Sequence, residues 1–382
     1  MLQAEELHDR ARQAVNTGAY ARGKRLLDRA AQLTEDPEVQ ARIATTRAYA
    51  DAETGNASAG IERCLGLIGE ADLTAETRGL VWAQLALLRM RTGDYDEAMR
   101  SFEEALSLLP GSRHTDIGLI FLNRGNVHLQ RGDAEAAVTD FVTARDELDQ
   151  AGLPVQRAKA EHNLGYARLL GGELVDALRM IDEAAVVLAP QSAIFRATVE
   201  QDRAEILTAA GRPREAIGAL EQAATAYGSR RLRTSQAECE LTLAWTLLRE
   251  DPKRARLVAR RAARRFRGHA SPARALRADA AALVAEISAG ATAPSVLDRV
   301  DALVAKLRRH GLVQDATVLE LQGAKVSVVR GDLADARTRL RWVRVDAASP
   351  VTTRLLWREV RSDLAQARGD GRNARQHVRA GL

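Results

Sequence analysis

The sequence predicts an all-α chain, a solenoid of about ten helix pairs. Three observations carry this: a helix-forming composition, a turn glycine that recurs at a near-constant interval, and a small and a bulky residue that keep register behind it. Ala, Leu, Arg and Glu dominate the 382 residues, whereas there are 9 prolines and aromatics make up 4%. These are strong helix formers, and a β-rich core would draw on more aromatic and β-branched side chains. A chain of this length would ordinarily divide into globular domains. A repeat array needs no such division, because each unit buries its apolar face against its neighbours. Residues 1–382 are therefore read as one continuous array.

The turn glycines are Gly18, Gly55, Gly93, Gly132, Gly172, Gly211, Gly290, Gly331 and Gly369, and Glu250-Asp251-Pro252 fills the one slot without glycine. The mean period is about 39 residues, within the range typical of solenoid repeats. The small residue of each second helix follows at Ala98, Ala137, Ala177, Ala216, Ala255, Ala336 and Ala374. The bulky residue follows at Leu27, Phe102, Phe141, Ile181, Leu220 and Leu340.

The most complete unit runs from Arg78 to Pro110. Trp82 and Leu85 lie three apart and share one helix face. Gly93 ends the first helix by admitting a left-handed backbone, and Asp94 caps the second. Ala98 lets the two helices approach, Phe102 fills the space between this pair and the next, and Pro110 stops the second helix. With its W-x2-L and A-x3-F spacing and closing proline, the unit resembles the tetratricopeptide repeat. It departs from that pattern at Ala86, where the family favours glycine, and at Arg89, where it favours a large aromatic. The resemblance implies a right-handed α-α superhelix whose first helices line a concave groove. The long period is similar to that of the longer-helix variants found in bacterial signalling ATPases and peptide-sensing regulators.

The unit at 271–312 is the least regular: Ala293-Pro294-Ser295 restarts a helix after a lengthened turn. The last unit has a first helix ending before Arg368-Gly369-Asp370-Gly371 and a second helix over residues 373–382, with no proline or polar cap to close it. Solenoids usually end in a cap, so the sequence implies a portion of a longer protein. The Arg/Ala-rich composition looks actinobacterial. The ending R-Q-H-V-R-A-G-L resembles the junction at which such arrays lead into a CHAT domain, a caspase-like peptidase module. On that resemblance the array is the regulatory or sensing region of a larger effector, and any peptidase activity lies beyond Leu382. An array feeding a transcription regulator or a signalling ATPase would look similar.

Charge is uneven. The chain carries +5 overall. Residues 1–229 hold 25 Lys+Arg against 35 Asp+Glu, a balance of −10, and residues 230–382 hold 31 against 16, a balance of +15. Such asymmetry points to two surfaces with different partners. No apolar run approaches the roughly 20 residues that span a bilayer. The acidic N-terminus lacks the basic end and apolar stretch of a signal peptide. The expected location is the cytoplasm.

Chemistry-bearing motifs are few, and the chain is read as a binding scaffold rather than an enzyme, with no cofactor and no metal. Cys64 and Cys239 are isolated within apolar helical patterns, and the histidines form no ligand cluster. Gly18 to Arg25 matches G-x4-G-K but ends in Arg in place of the hydroxyl that a phosphate loop needs, and no strand precedes it. Asn56-Ala57-Ser58 is a formal glycosylation triplet without meaning in a cytoplasmic chain.

Two surfaces are candidates for binding. By resemblance, the first helices place Asn123, Asn126, Gln130, His162, Asn163, Tyr166, Gln201 and Glu205 in the groove, where a side-chain amide both donates to and accepts from a peptide backbone. The expected partner is a protein or peptide segment. The second surface is the seventh second helix, where Arg254, Arg256, Arg260, Arg261, Arg264, Arg265 and Arg267 concentrate charge. Leu257, Val258, Ala262 and Phe266 recur there at three- and four-residue spacing and are expected to face the core. The arginines then form a solvated face or a docking surface for an acidic partner. Nucleic acid is disfavoured by the lack of base-stacking aromatics and of a recognised motif.

Overall fold

The structure, a computed structural model, describes residues 2–70, 72–269, 271–346 and 349–370. Every regular element among them is a helix, and these helices form antiparallel pairs. They cluster into two compact units, Met1–Leu188 and Ala189–Leu382. In the first, α1 (Leu2–Asn16) pairs with α2 (Tyr20–Ala31), α3 (Pro37–Glu53) with α4 (Ala57–Ile68) and α5 (Ala75–Thr92) with α6 (Tyr95–Leu108). The same unit continues with α7 (His114–Arg131) and α8 (Ala134–Gln150), then α9 (Pro154–Leu170) and α10 (Leu174–Leu188).

The second unit pairs α11 (Ala193–Ala209) with α12 (Pro213–Ser229), and α13 (Arg233–Leu247) with α14 (Pro252–Arg267). It continues with α15 (Pro272–Ser288) and α16 (Pro294–Arg309), then α17 (Val313–Val329) and α18 (Leu333–Trp342), and ends its described part with α19 (Val351–Ala367). The expected helix over 373–382, with Ala374, lies outside the described residues.

The turn chemistry follows from backbone geometry. Each predicted turn glycine, from Gly18 to Gly369, takes a positive φ. Gly93, at φ 83°, is typical: its N–H donates to the Met90 carbonyl at 3.1 Å, closing the last turn of α5. The Asp94 carboxylate then accepts from Glu97 N–H at 3.4 Å and starts α6. A side chain at that φ would be strained, so glycine is the residue of choice. The slot without glycine works differently: Asp251 accepts from Arg254 N–H at 3.0 Å, and Pro252 opens α14. Positive φ also occurs at Gly152, Gly311 and Arg231, in turns joining one pair to the next. The sequence had not marked these.

The interhelical register follows the small and bulky residues. Ala98, Ala137, Ala177, Ala216, Ala255 and Ala336 are buried, as are Leu27, Phe102, Phe141, Ile181 and Leu220. Two expectations need correction. Leu340 is only half-buried, and Arg339 occupies the interior position beside it. A guanidinium is held there because α16, α17 and α18 bring carboxylates to it. Leu257, expected in the core, is 60% exposed, while Val258, Ala262 and Phe266 are buried. The face of α14 that meets α13 and α15 is narrow enough to exclude it.

Some first-helix glycines allow close packing. A Cβ at Gly125 would lie 2.6 Å from Cε1 and 2.8 Å from Cδ1 of Phe141. Gly125→Ala is therefore expected to lower stability by about 1–3 kcal/mol through overpacking, measured as a lower urea midpoint at unchanged m-value.

Candidate functional site

Within the first unit, the odd-numbered helices present one face to a cavity of about 760 Å³ lined by α1, α3, α5 and α7. The face is polar at its edges and apolar in the middle. Leu80, Ala83 and Leu87 of α5 and Leu119 of α7 form the half-buried floor.

The polar edges are cross-linked by a ladder whose rungs join residues one period apart. Arg42 donates to Glu5 at 2.9 Å, and His8 Nε2 meets Thr46 Oγ1 at 2.9 Å. Glu38 accepts from the Thr74 N–H at 2.6 Å and from the Thr77 hydroxyl. Arg113 donates to Glu76 at 3.0 Å and to Asp116 at 2.8 Å. Next along, Asn163 Nδ2 donates to Asn126 Oδ1 at 3.0 Å. The second unit has its own rungs: Thr208 with Thr246 at 3.2 Å, Arg277 with Asp315 at 3.4 Å and Lys325 with Glu359 at 2.5 Å. Repeating the fold every period brings equivalent positions side by side, so polar residues at that interval become neighbours.

Two groups are shifted in the cavity. Burial, helped by Arg12 and Arg42, pushes the His8 imidazole below its ordinary value and so favours its neutral form. Burial works to raise the Glu38 carboxyl, but hydrogen bonds from Thr74 and Thr77 outweigh it and hold the group below the usual range. Arg42 adds a smaller pull in the same direction, so Glu38 is a carboxylate held by neutral donors with a cation farther off. One amide in the wall, Gln84 Nε2, is buried without a hydrogen-bond partner among the described residues.

The residues anticipated for the groove fall into three groups. Asn123 lines the cavity. Asn126, His162, Asn163, Tyr166 and the exposed Gln130 lie further along the same unit, on α7 and α9. His162 is buried, with Nδ1 at 3.4 Å from Asn163 Oδ1. Gln201 and Glu205 belong to α11 of the second unit, where Glu205 accepts from Thr242 at 3.5 Å. The cavity itself is built mainly from residues that the sequence reading passed over, among them Glu5, His8, Glu38, Arg42, Gln84 and Arg113. A search for polar pairs separated by one period on first helices would have found most of them.

Six of the seven arginines of the basic segment have a carboxylate partner within their own unit, but four carboxylates serve all six, so the segment stays basic. Arg254 pairs with Glu221. Arg256 and Arg260 reach Glu286 at 3.7 and 3.4 Å. Arg261 and Arg265 flank the buried Glu240 at 3.6 and 3.0 Å, and Arg267 meets Asp279 at 3.0 Å. Arg264 alone of the seven has no carboxylate within 4.0 Å among the described residues.

Nothing at the remaining motifs assembles catalytic chemistry. Lys24 pairs with Asp51 at 2.6 Å, and Gly23 lies inside α2 against α1. Both cysteines are buried, and burial pushes their thiols up to about 12, so neither is a ready nucleophile. Among the described residues no group of three or more His, Cys, Asp or Glu could hold a metal ion, and no helix is long and apolar enough to cross a membrane.

Residues 77–146 match the family model of the tetratricopeptide repeat. No curated protein matches the sequence. Three solved structures share the fold at low identity. A Rap protein complexed with competence and sporulation factor is 12% identical, with 95% of this chain and 99% of that chain covered and a TM-score of 0.65. The apo form of the quorum sensor NprR from B. thuringiensis is 9% identical, with 88% and 96% covered and a TM-score of 0.68. The Rap conjugation gene regulator of plasmid pLS20, in complex with the Phr* peptide, is 14% identical, with 88% and 93% covered and a TM-score of 0.55.

Proposed function

We propose that this tetratricopeptide-type array is a non-catalytic, cytoplasmic scaffold that holds a peptide or protein segment against the faces of its first helices. The observation that carries the reading is the α1–α3–α5–α7 cavity, a polar-edged, apolar-floored trough large enough for a short segment of chain. Support comes from structures of the same fold solved with competence and sporulation factor and with the Phr* peptide.

The Asn123, Asn126 and Asn163 amides extend the trough along α7 and α9 and suit a main chain, since each both donates and accepts. Replacing Asn123 and Asn126 together by Ala is expected to weaken binding of a peptide selected on the wild-type chain by roughly tenfold, from two lost hydrogen bonds. Fluorescence anisotropy checks this; unchanged affinity would remove those amides from the site.

The wider setting is a regulatory or sensing region of a larger effector such as a CHAT-domain peptidase. It is supported by the resemblance of the composition and closing residues. The reading frame after Leu382 tests it: a downstream Cys/His peptidase module supports it, and a stop codon overturns it. The alternative, a module that contacts nucleic acid or an acidic partner through the arginines of α14, is weakened by the carboxylates already paired with six of them.

A further inference from the structure

We propose that the α1–α3–α5–α7 cavity selects an extended peptide segment in which a cationic side chain neighbours an apolar one. The inference rests on the peptide-binding reading above and goes beyond it in specifying the ligand's chemistry. Three features of the cavity converge on it.

The first is an unmet donor. Gln84 Nε2 is buried in the wall without an acceptor among the described residues. An unpaired buried amide costs about 1–3 kcal/mol, and a turn of the Gln84 side chain would bring Nε2 to a main-chain carbonyl laid along α5.

The second is the floor. Leu80, Ala83 and Leu87 recur at three- and four-residue spacing along α5, and with Leu119 of α7 they line the cavity half-buried. Covering this floor with an apolar side chain is favourable in proportion to the area removed from water.

The third is the charge. Five carboxylates line the cavity against three guanidinium groups. Arg42 is engaged by Glu5, Arg113 by Glu76 and Asp116, and Arg12 by Asp9 at 3.5 Å. Asp36 caps α3. Glu38 receives hydrogen bonds only from neutral donors, and Arg42, paired with Glu5, acts on it from beyond salt-bridge distance, so a cationic side chain could still approach the carboxylate directly. An anionic ligand would have to displace a carboxylate from an arginine, whereas a cationic one meets Glu38 directly. Residues 1–188 hold 21 Lys+Arg against 30 Asp+Glu, a balance of −9, so the field of the whole unit attracts the same sign of ligand.

The test uses fluorescein-labelled, end-blocked hexapeptide pools, each fixing one residue type at one position, titrated by anisotropy with the full chain. Pools fixing Arg or Lys are expected to bind about tenfold tighter than pools fixing Asp or Glu, with the gap narrowing as salt rises. Glu38→Gln keeps a carbonyl oxygen for the Thr74 and Thr77 donors and is expected to reduce the cationic preference to about threefold or less. Gln84→Ala is expected to weaken every binding pool about fivefold without changing their ranking. Thermal unfolding shows whether each variant keeps its fold. Should Glu38→Gln not do so, Leu87→Lys places a cation on the partly exposed floor and should reverse the charge preference. Pools that bind without cationic preference, or with affinities and ranking that neither variant changes, overturn this inference while leaving peptide binding elsewhere on the chain intact. Failure of every pool to bind the wild-type chain overturns the peptide-binding reading as well.

Discussion

Arg339→Ala is expected to destabilise the second unit by about 3–5 kcal/mol, the scale measured when one partner of a buried charge cluster is removed. Arg339 is buried on α18 and donates to Asp301 at 2.6 Å and to Asp335 at 2.7 Å, with Glu320 at 3.6 Å. Burial works against its charge, but the hydrogen bonds to Asp301 and Asp335 outweigh this and keep it protonated. Burial also pushes the Glu320 carboxyl upward, and Arg339 is the main influence opposing that shift. Without the guanidinium, the buried Glu320 carboxylate loses its nearest counter-charge, while Asp335 and Asp301 keep partial access to water. Gly323 leaves room for the side chain: a Cβ there would lie 3.3 Å from Arg339 Nη1. If the cost comes from stranded charge, Arg339→Met combined with Glu320→Met should recover much of it, because well-packed apolar replacements of a whole buried pair are often neutral. Urea unfolding of the full chain measures both. Equal midpoints for Arg339→Ala and the wild type would show the cluster to be energetically idle.

Phe141→Ala is expected to cost about 3–5 kcal/mol, the usual price of emptying a fully buried aromatic position. The ring is wholly buried between α7, α8 and α9, among Leu122, Ala144 and Leu164. In a repeat array stability is carried by neighbouring interfaces, so the loss should fall on both flanking pairs. Gly125 provides an internal control. Its missing Cβ is the space the Phe141 ring occupies. Gly125→Ala, harmful in the wild type, should therefore be stabilising in the Phe141→Ala background. The two changes should couple by about 1 kcal/mol or more, as expected for residues in direct contact. Additive effects in a double-mutant cycle would contradict this packing.

Much of this architecture is written locally, and such features were legible. A left-handed residue at the end of a helix favours glycine wherever it occurs, so the turn glycines could be identified from their spacing alone. The same holds for the alanine and the aromatic or aliphatic residue that follow each turn, because the distance along the helix fixes which face they occupy. Leu340 and Leu257 show the limit of that reasoning. Both are apolar at a plausible interval, yet Leu340 yields the interior to Arg339 and Leu257 falls outside the narrow face that α13 and α15 cover. Arg339 lies inside because Asp301 and Glu320, from α16 and α17, come to meet it.

The α14 arginines teach the same lesson about charge. Read along the chain they form a dense basic run. In space, Glu221, Glu240, Asp279 and Glu286 from three other helices stand beside them. The groove was legible as a set of helices but not as a set of residues. The amides on α7 and α9 attract notice as residue types, whereas Glu38, Gln84 and Arg113 look like ordinary surface residues until their helices are laid side by side.

The sequence by itself determined the helices, the turns within each pair, the period and the pairing of each helix with the next, because these depend on residues a few positions apart. Tertiary structure alone decided which charges are paired, which arginine is buried, and where the apolar floor and the Glu38 carboxylate meet in one cavity. Those outcomes depend on distances between helices, and a charge or a donor is satisfied only by what reaches it across that gap.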